Sequence, residues 1–359
     1  MSSLAENEYA PEEVSPPGDT LAETLEAKGM SQAELAERTG RPKKTINEII
    51  NGKASITSET ALQLERVLGV PARFWIERES QYQESLARRD ERARLAHDRD
   101  WVRSFPIKEM ARAGWIRAVS DPVDQLRELL NFFGIASPRQ WDAGATAEVS
   151  FRRSSKFEID RHATRAWLRQ GEIEASTIPC EPFDEAAFKR AIQHARKLSR
   201  LPHAEGVKEL RRSFALVGVA VVIVPEIDGI RASGASRWLS PAKAMIVLSY
   251  RYKKDDHFWF SLFHESAHVL LHPKSTTFID VEEGGLNPKE READEFARNV
   301  LIPADVYQDF LDTRPLTEAS VVAFAEELGI APGIVVGRLQ HDDVIDHSHF
   351  NRLKVRLGQ

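Results

Sequence analysis

His264-Glu265-Ser266-Ala267-His268 sets two histidines four residues apart, with a glutamate directly after the first. On a helix, residues at that spacing lie one above the other on one face, so both imidazoles can reach one Zn2+ at about 2.1 Å. Glu265 then flanks the open coordination position and takes a proton from the bound water. Zinc brings the pKa of that water toward about 7, which makes a hydroxide nucleophile at neutral pH. Phe260, Phe263, Ala267, Val269, Leu270 and Leu271 predict a largely buried helix over Asp255–Leu271. Three ionisable residues inside such a helix are expensive unless they pair or bind metal.

A zinc centre of this kind needs a third protein ligand. His272 continues the every-fourth-residue series, but the helix rises about 12 Å between His264 and His272, too far for both to share one ion. The ligand is therefore expected from a later helix, predicted over Pro288–Leu301. Phe296, Ala293, Ala297 and Val300 define its inward face. Glu292, one turn before Phe296, borders that face, while Glu295 points away. Periodicity leaves Glu290 open as well, although a solvated acidic helix start stabilised by its dipole also describes it.

A second constellation lies near the N-terminus. Ser31-Gln-Ala-Glu34 has the pattern of a capping box that opens a helix over Gln32–Arg38. Thr39-Gly40 makes the turn, and Pro42 opens a second helix that ends at Asn51-Gly52. Two short helices joined by a tight glycine turn are the signature of a helix-turn-helix. The second helix begins Arg41-Pro-Lys43-Lys44-Thr45 and carries Asn47 one turn on, while Ile46, Ile49 and Ile50 supply its buried face. Lys and Arg neutralise phosphates, and Asn or Arg bonds base edges in the major groove. Arg41, Lys43, Lys44, Thr45 and Asn47 are therefore the candidate DNA-binding residues.

The elements that must position these residues follow from the rest of the chain. Its 359 residues suggest two or three domains, and 42% hydrophobic with 29% charged residues excludes wholesale disorder. Lys+Arg 49 against Asp+Glu 55 gives a net charge of −6, so a nucleic-acid site must be a local basic patch on an acidic background. Four basic residues and one acid, Glu48, between Arg41 and Lys53 make such a patch. The single cysteine, Cys180, excludes a disulfide framework or a Cys-rich zinc site, fits a reducing compartment, and has no obvious activating base. The longest apolar run, Phe214 to Val224, is too short to span a bilayer, and the acidic N-terminus lacks a signal-peptide core. A cytoplasmic protein is expected.

Residues 1–18 read as a disordered tail and 19–90 as an all-α helix-turn-helix domain. Residues 91–211 read as a helical linker or middle region, including a solvated Arg152-Arg153 turn. Two β-branched runs, Val219–Val224 and Ala244–Ser249, read as strands, with Gly229–Ser236 between them as loop or a further short strand. Helical patterns then return, so residues 212–315 form an α+β core. A short-helix pair over 316–359 reads as packing, because its second helix has Arg338 as its only cation. Arg237, Trp238, Tyr250 and His257 lie near the expected strand or helix entrance and are candidates to stabilise an oxyanion.

Two resemblances rest on these motifs. SQAELAERTGRPKKTINEIINGKASITSETALQLERVLGVPARFW resembles the Xre/Cro-type module of HigA-like antitoxins, over about Leu21 to Arg89. It implies a five-helix module, usually dimeric, with Lys43, Lys44, Thr45 and Asn47 facing double-stranded operator DNA; in such antitoxins the partner is an mRNA-cleaving toxin. From Gly218 to Gln340 the chain resembles the ImmA/IrrE metallopeptidases, through HESAHVLLH and EADEFARNVLIP. That implies a zincin-like (gluzincin) domain with helical extensions, His264, His268 and Glu292 as zinc ligands and Glu265 as catalytic base. It also implies cleavage of a repressor-type protein, with Ala244–Ser249 as the edge strand where substrate pairs. The departure is architectural, because here the DNA-binding module precedes the peptidase in one chain.

The expected function is thus a DNA-binding regulator, bacterial- or phage-type, with a zinc-dependent endopeptidase, active or latent, that cuts a repressor- or antitoxin-type protein. The alternative is a non-catalytic HigA-like antitoxin or transcription factor whose zincin fold is a sensor or protein-binding platform. Retention of Glu265, which is not a ligand, favours catalysis, and a structural zinc would normally be closed by a fourth protein ligand.

Overall fold

The computed structural model describes residues 14–144, 161–230, 232–274, 277–281 and 288–357. The Arg152-Arg153 pair lies outside them. The chain divides into two units, Met1–Arg99 and Asp100–Gln359.

Short helices closed by glycines build the first unit. They are α1 (Pro17–Ala27), α2 (Gln32–Thr39), α3 (Lys43–Ile50), α4 (Ser58–Leu68) and α5 (Ala72–Leu95). Leu21, Leu35, Ile46, Leu64 and Trp75 are fully buried where these helices meet. Gly40, at φ 66°, ends α2 in the left-handed region that glycine adopts without a Cβ penalty, and so permits the tight turn into α3. Ser31 Oγ accepts from the Glu34 N–H at 3.2 Å, but the Glu34 carboxylate pairs with Arg38 at 2.7 Å. Only the Ser31 half of the expected capping box forms. Two boundaries move: α1 begins at Pro17, inside the expected tail, and α5 runs to Leu95, beyond the expected end of the module.

The second unit opens with α6 (Ile107–Arg112), α7 (Pro122–Phe133), α8 (Pro138–Gly144), α9 (Arg161–Thr177), α10 (Glu185–Leu198) and α11 (His203–Ala215). Strands β1 (Val219–Ile223), β2 (Ala232–Ser240) and β3 (Lys243–Leu248) follow, then α12 (Asp255–Leu271) and β4 (Phe278–Val281). It ends with α13 (Pro288–Leu301), α14 (Ala304–Thr313), α15 (Glu318–Leu328) and α16 (Pro332–His341). The sheet order is β1-β3-β2-β4, with β1 parallel to β3 and the other pairs antiparallel.

Alternate residues of one strand enter two different cores. Val219, Val221, Ala244, Ile246 and Leu248 pack toward α10–α12 and the C-terminal helices. Ala220, Val222, Met245 and Val247 pack toward α9, where the Trp167 indole N–H donates to the Val224 carbonyl at 3.1 Å. A sheet covered on both faces needs apolar residues at every position, which is why β1 and β3 read as unbroken apolar runs. Helices α9 to α11 are thus walls of the α+β core rather than parts of a linker.

Of the two readings of Gly229–Ser236, the strand is the one that forms, and the edge-strand expectation is corrected. The Gly229–Ser236 segment leads into β2, a nine-residue inner strand hydrogen-bonded on both sides. Because β2 covers its outer side, β3 is not an edge strand: β1 and β4 are the edges among the described strands. No single described helix is long and apolar enough to cross a membrane.

Candidate metal centre

Helix α12 runs through the middle of the second unit, between the sheet, α13 and α16. Burial all round removes water from His264, Glu265 and His268, each no more than 2% exposed. Residues so enclosed must find polar partners in the protein. Helix α13 crosses beside α12 and brings Glu290, itself buried, against both histidines. Phe278 at the start of β4 stacks on the His268 ring with centroids 4.1 Å apart.

Hydrogen bonds assign the protons. His264 Nδ1 lies 2.8 Å from Asp294 Oδ1, an acceptor, so Nδ1 carries the hydrogen and Nε2 presents a lone pair. His272 Nε2 lies 3.2 Å from Glu292 Oε2 and donates to it, which leaves His272 Nδ1 as an acceptor. The His268 Nδ1–H then donates to His272 Nδ1 at 2.7 Å, and His268 Nε2 is the lone pair. The two Nε2 atoms stand 3.1 Å apart, and Glu290 Oε2 lies 3.1 Å and 3.4 Å from them. Three acceptor atoms therefore converge on one point.

Ionisation agrees with this arrangement. Burial brings His268 down to about 4, so it is neutral near pH 7. Burial pushes the Glu290 carboxyl up, but the adjoining His264 and His268 rings outweigh it and hold the group well below the usual carboxylate range. Two imidazoles and a carboxylate form the donor set of a catalytic zinc site, leaving one position open. Tetrahedral donors about 2.1 Å from one ion stand about 3.4 Å apart, close to the spacing here. The residues fit a zinc ion.

Glu265 follows His264 and is fully buried against β2. A Cβ at Gly234 would lie 2.8 Å from both Cγ and Oε1 of Glu265, so only glycine at that place in β2 leaves space for the carboxylate.

The expected Glu292 is not the residue that joins the histidine pair. It lies one residue pair further round α13, with its side chain 58% exposed, and instead accepts from His272. Glu290 occupies the expected place, because it stands in the row of Ala293 and Ala297 that faces α12. His272, excluded as a ligand by distance, orients His268. The oxyanion candidates are engaged elsewhere: Arg237 pairs with Glu172, Trp238 packs edge-on against Phe183, and Tyr250 Oη bonds His203 Nε2 at 2.9 Å. His257 stacks on Tyr252 with centroids 4.1 Å apart. Burial pushes the Cys180 thiol up, the reverse of activation.

In the first unit, Lys43, Lys44 and Asn47 are exposed on α3 and Thr45 is half-buried. Asn47 Oδ1 accepts from Asn51 Nδ2 at 3.1 Å, and Lys44 lies 3.8 Å from Glu48. Arg41 differs from its neighbours: its guanidinium bonds Gln63 and lies 3.4 Å from Glu59, so it braces α4.

Residues 21–75 match the family model described as helix-turn-helix. Virulence-associated protein I of Dichelobacter nodosus is 33% identical over 78 residues, which is 21% of this chain and 72% of that protein. The chain belongs to the Xre-type helix-turn-helix family. Residues 221–340 of this Xre-type protein match a second model, a peptidase family described as IrrE N-terminal-like domain. Among solved structures, an addiction module antidote protein of a HigA family from Coxiella burnetii is 30% identical with a TM-score of 0.22, covering 23% of this chain and 92% of that one. The Pseudomonas aeruginosa antitoxin HigA with higBA promoter is 27% identical with a TM-score of 0.23, covering 24% and 94%. By its two family matches the Xre-type protein is a regulator with a protease-like domain.

Proposed function

We propose that this chain is a DNA-bound transcriptional regulator whose second unit is a zinc-dependent endopeptidase acting on a repressor- or antitoxin-type protein. The observation that carries this reading is the convergence of His264 Nε2, His268 Nε2 and Glu290 Oε2 beside Glu265. His264, His268 and Glu290 would hold a zinc ion, which would supply Lewis-acid polarisation of a carbonyl and a more acidic water. Glu265 takes a proton from water as general base and returns it to the leaving amine. Asp294 and His272 keep the lone pairs of the two histidines aimed inward. Edge strand β4 offers main-chain groups to an extended polypeptide.

On the first unit, Lys43 and Lys44 neutralise phosphates while Thr45 and Asn47 meet base edges, in a homodimer of the module. Tethering raises the effective concentration of the peptidase near operator-bound protein. Glu265→Gln, assayed by mass spectrometry of a purified Xre-type repressor, is expected to keep its zinc and lose at least about 100-fold in cleavage rate. Full activity in that variant would end the mechanism. Zinc-dependent DNA binding without cleavage by the wild type would favour the sensor reading instead.

A further inference from the structure

A cavity of about 300 Å3 lies one helical turn before the histidines on α12. Phe260 and Ser261 of α12, Leu301 and Ile302 at the end of α13, and Ile334 of α16 give it apolar walls, and Arg298 of α13 joins them. The cavity neighbours the centre along both helices. The Phe260 ring stands 6.2 Å from the His264 ring, and Arg298 extends the row that carries Glu290 and Asp294 every fourth residue. Ser233, which also lines the cavity, immediately precedes the glycine that makes room for Glu265.

The charges in the wall are unequal. Arg338 pairs with Asp342 at 2.5 Å, and Asp256 with Lys354 at 2.5 Å. Arg298 has no carboxylate partner among the described residues and is only half-buried. A cavity at the small end of the range for ligand sites, with apolar side chains over much of its wall and the Arg298 cation unpaired among the described residues, suits one large side chain attached to an oxygen acceptor. It is too small for a dinucleotide-sized cofactor.

We infer that this cavity is the specificity pocket of the centre, taking one bulky apolar side chain of a polypeptide, phenylalanine- or leucine-like, next to the bond to be cut. Arg298 donates to the main-chain carbonyl or terminal carboxylate beside that side chain. This inference rests on the peptidase reading above.

The test begins on the full chain in chelator, so that occupancy is read without catalysis. Binding of 3-phenylpropanoate and of neutral 3-phenylpropanol is followed by NMR titration. Wild type is expected to bind both, and propanoate without the ring is expected not to bind. Ser261→Phe, which fills the cavity, is expected to abolish both, while Arg298→Ala weakens the acid about tenfold and leaves the alcohol unchanged. Because Ser261→Phe crowds a buried helix and can fail to fold, the partly exposed Arg298 keeps the test decisive by itself. No binding, or binding indifferent to Arg298→Ala, overturns the pocket.

A second arm digests a proteome-derived peptide library with the zinc-loaded protein. Enrichment of bulky apolar residues on one side of the cut, relaxed by Ser261→Phe or with a changed flanking preference in Arg298→Ala, supports the assignment. Cleavage without that enrichment overturns it while leaving the peptidase reading intact. Probe binding with no cleavage at all sinks the peptidase reading and, with it, a substrate side chain as the occupant.

Discussion

Replacing His272 by alanine removes the acceptor that holds the His268 Nδ1–H, and replacing Asp294 does the same for His264. Neither residue belongs to the converging triad, so the donor set survives while its orientation loosens. We expect each variant to bind zinc about 10- to 100-fold more weakly, measured by competition with a chromophoric chelator. Unchanged affinity would mean that packing alone, including the Phe278 ring, fixes the imidazoles. The two histidines and Glu265 were legible in the sequence, because a four-residue spacing maps directly onto one helix face. The carboxylate that joins them was left open, because its helix face was measured from Phe296, which is only half-buried. Counted from the fully buried Ala293 and Ala297, Glu290 falls in the same row. Glu292 belongs to the centre too, but as the far end of the His272 relay.

At the scale of elements, the start of α12 is clamped by the C-terminal segment. The Asp255 N–H donates to the Val355 carbonyl at 3.0 Å, and the Val355 N–H donates to Asp255 Oδ1 at 2.9 Å. Lys354 meets Asp256 in a buried ion pair and also bonds Gln340 Oε1 at 2.7 Å. Lys354→Ala strands the Asp256 charge, and we expect it to cost about 3 kcal/mol in denaturant unfolding of this unit. Burial, opposed by the Val355 N–H and reinforced by the Asp256 charge, pushes the Asp255 carboxyl up to about 6. The folded chain therefore holds that proton more tightly than the unfolded one. Its contribution to stability is present below about pH 4 and is lost as pH rises to about 6. Asp255→Asn keeps an acceptor for Val355, so it should flatten that slope and raise the melting temperature at pH 7; an unaltered pH profile would contradict this. Helices Asp255–Leu271 and Pro288–Leu301 were readable because their apolar patterns run longer than a strand. Strand β2 was left open between loop and strand, since Ser233, Gly234, Ser236 and Arg237 lack β-branching and the strand is specified by neighbours on both sides.

For the whole molecule, a chain of net charge −6 is expected to meet DNA through one local patch. Lys43→Ala and Lys44→Ala should each reduce the log–log salt slope of binding to a random-sequence duplex by about 0.9. Arg41→Ala should leave that slope unchanged, because Arg41 is bound to Glu59 and Gln63 of α4. Fluorescence anisotropy at several salt concentrations separates these outcomes. The join of a DNA-binding unit to a metal centre was legible because each rests on short local motifs. The integration of α9–α11 into the second unit depends on contacts distant in sequence, so no motif announced it. The central claim is the identity of the metal centre, and native mass spectrometry of the intact chain tests it. Wild type and Glu292→Ala should carry about one zinc per chain, and Glu290→Ala none. A Glu290→Ala protein that keeps its zinc, or a wild type that never holds any, would contradict the account.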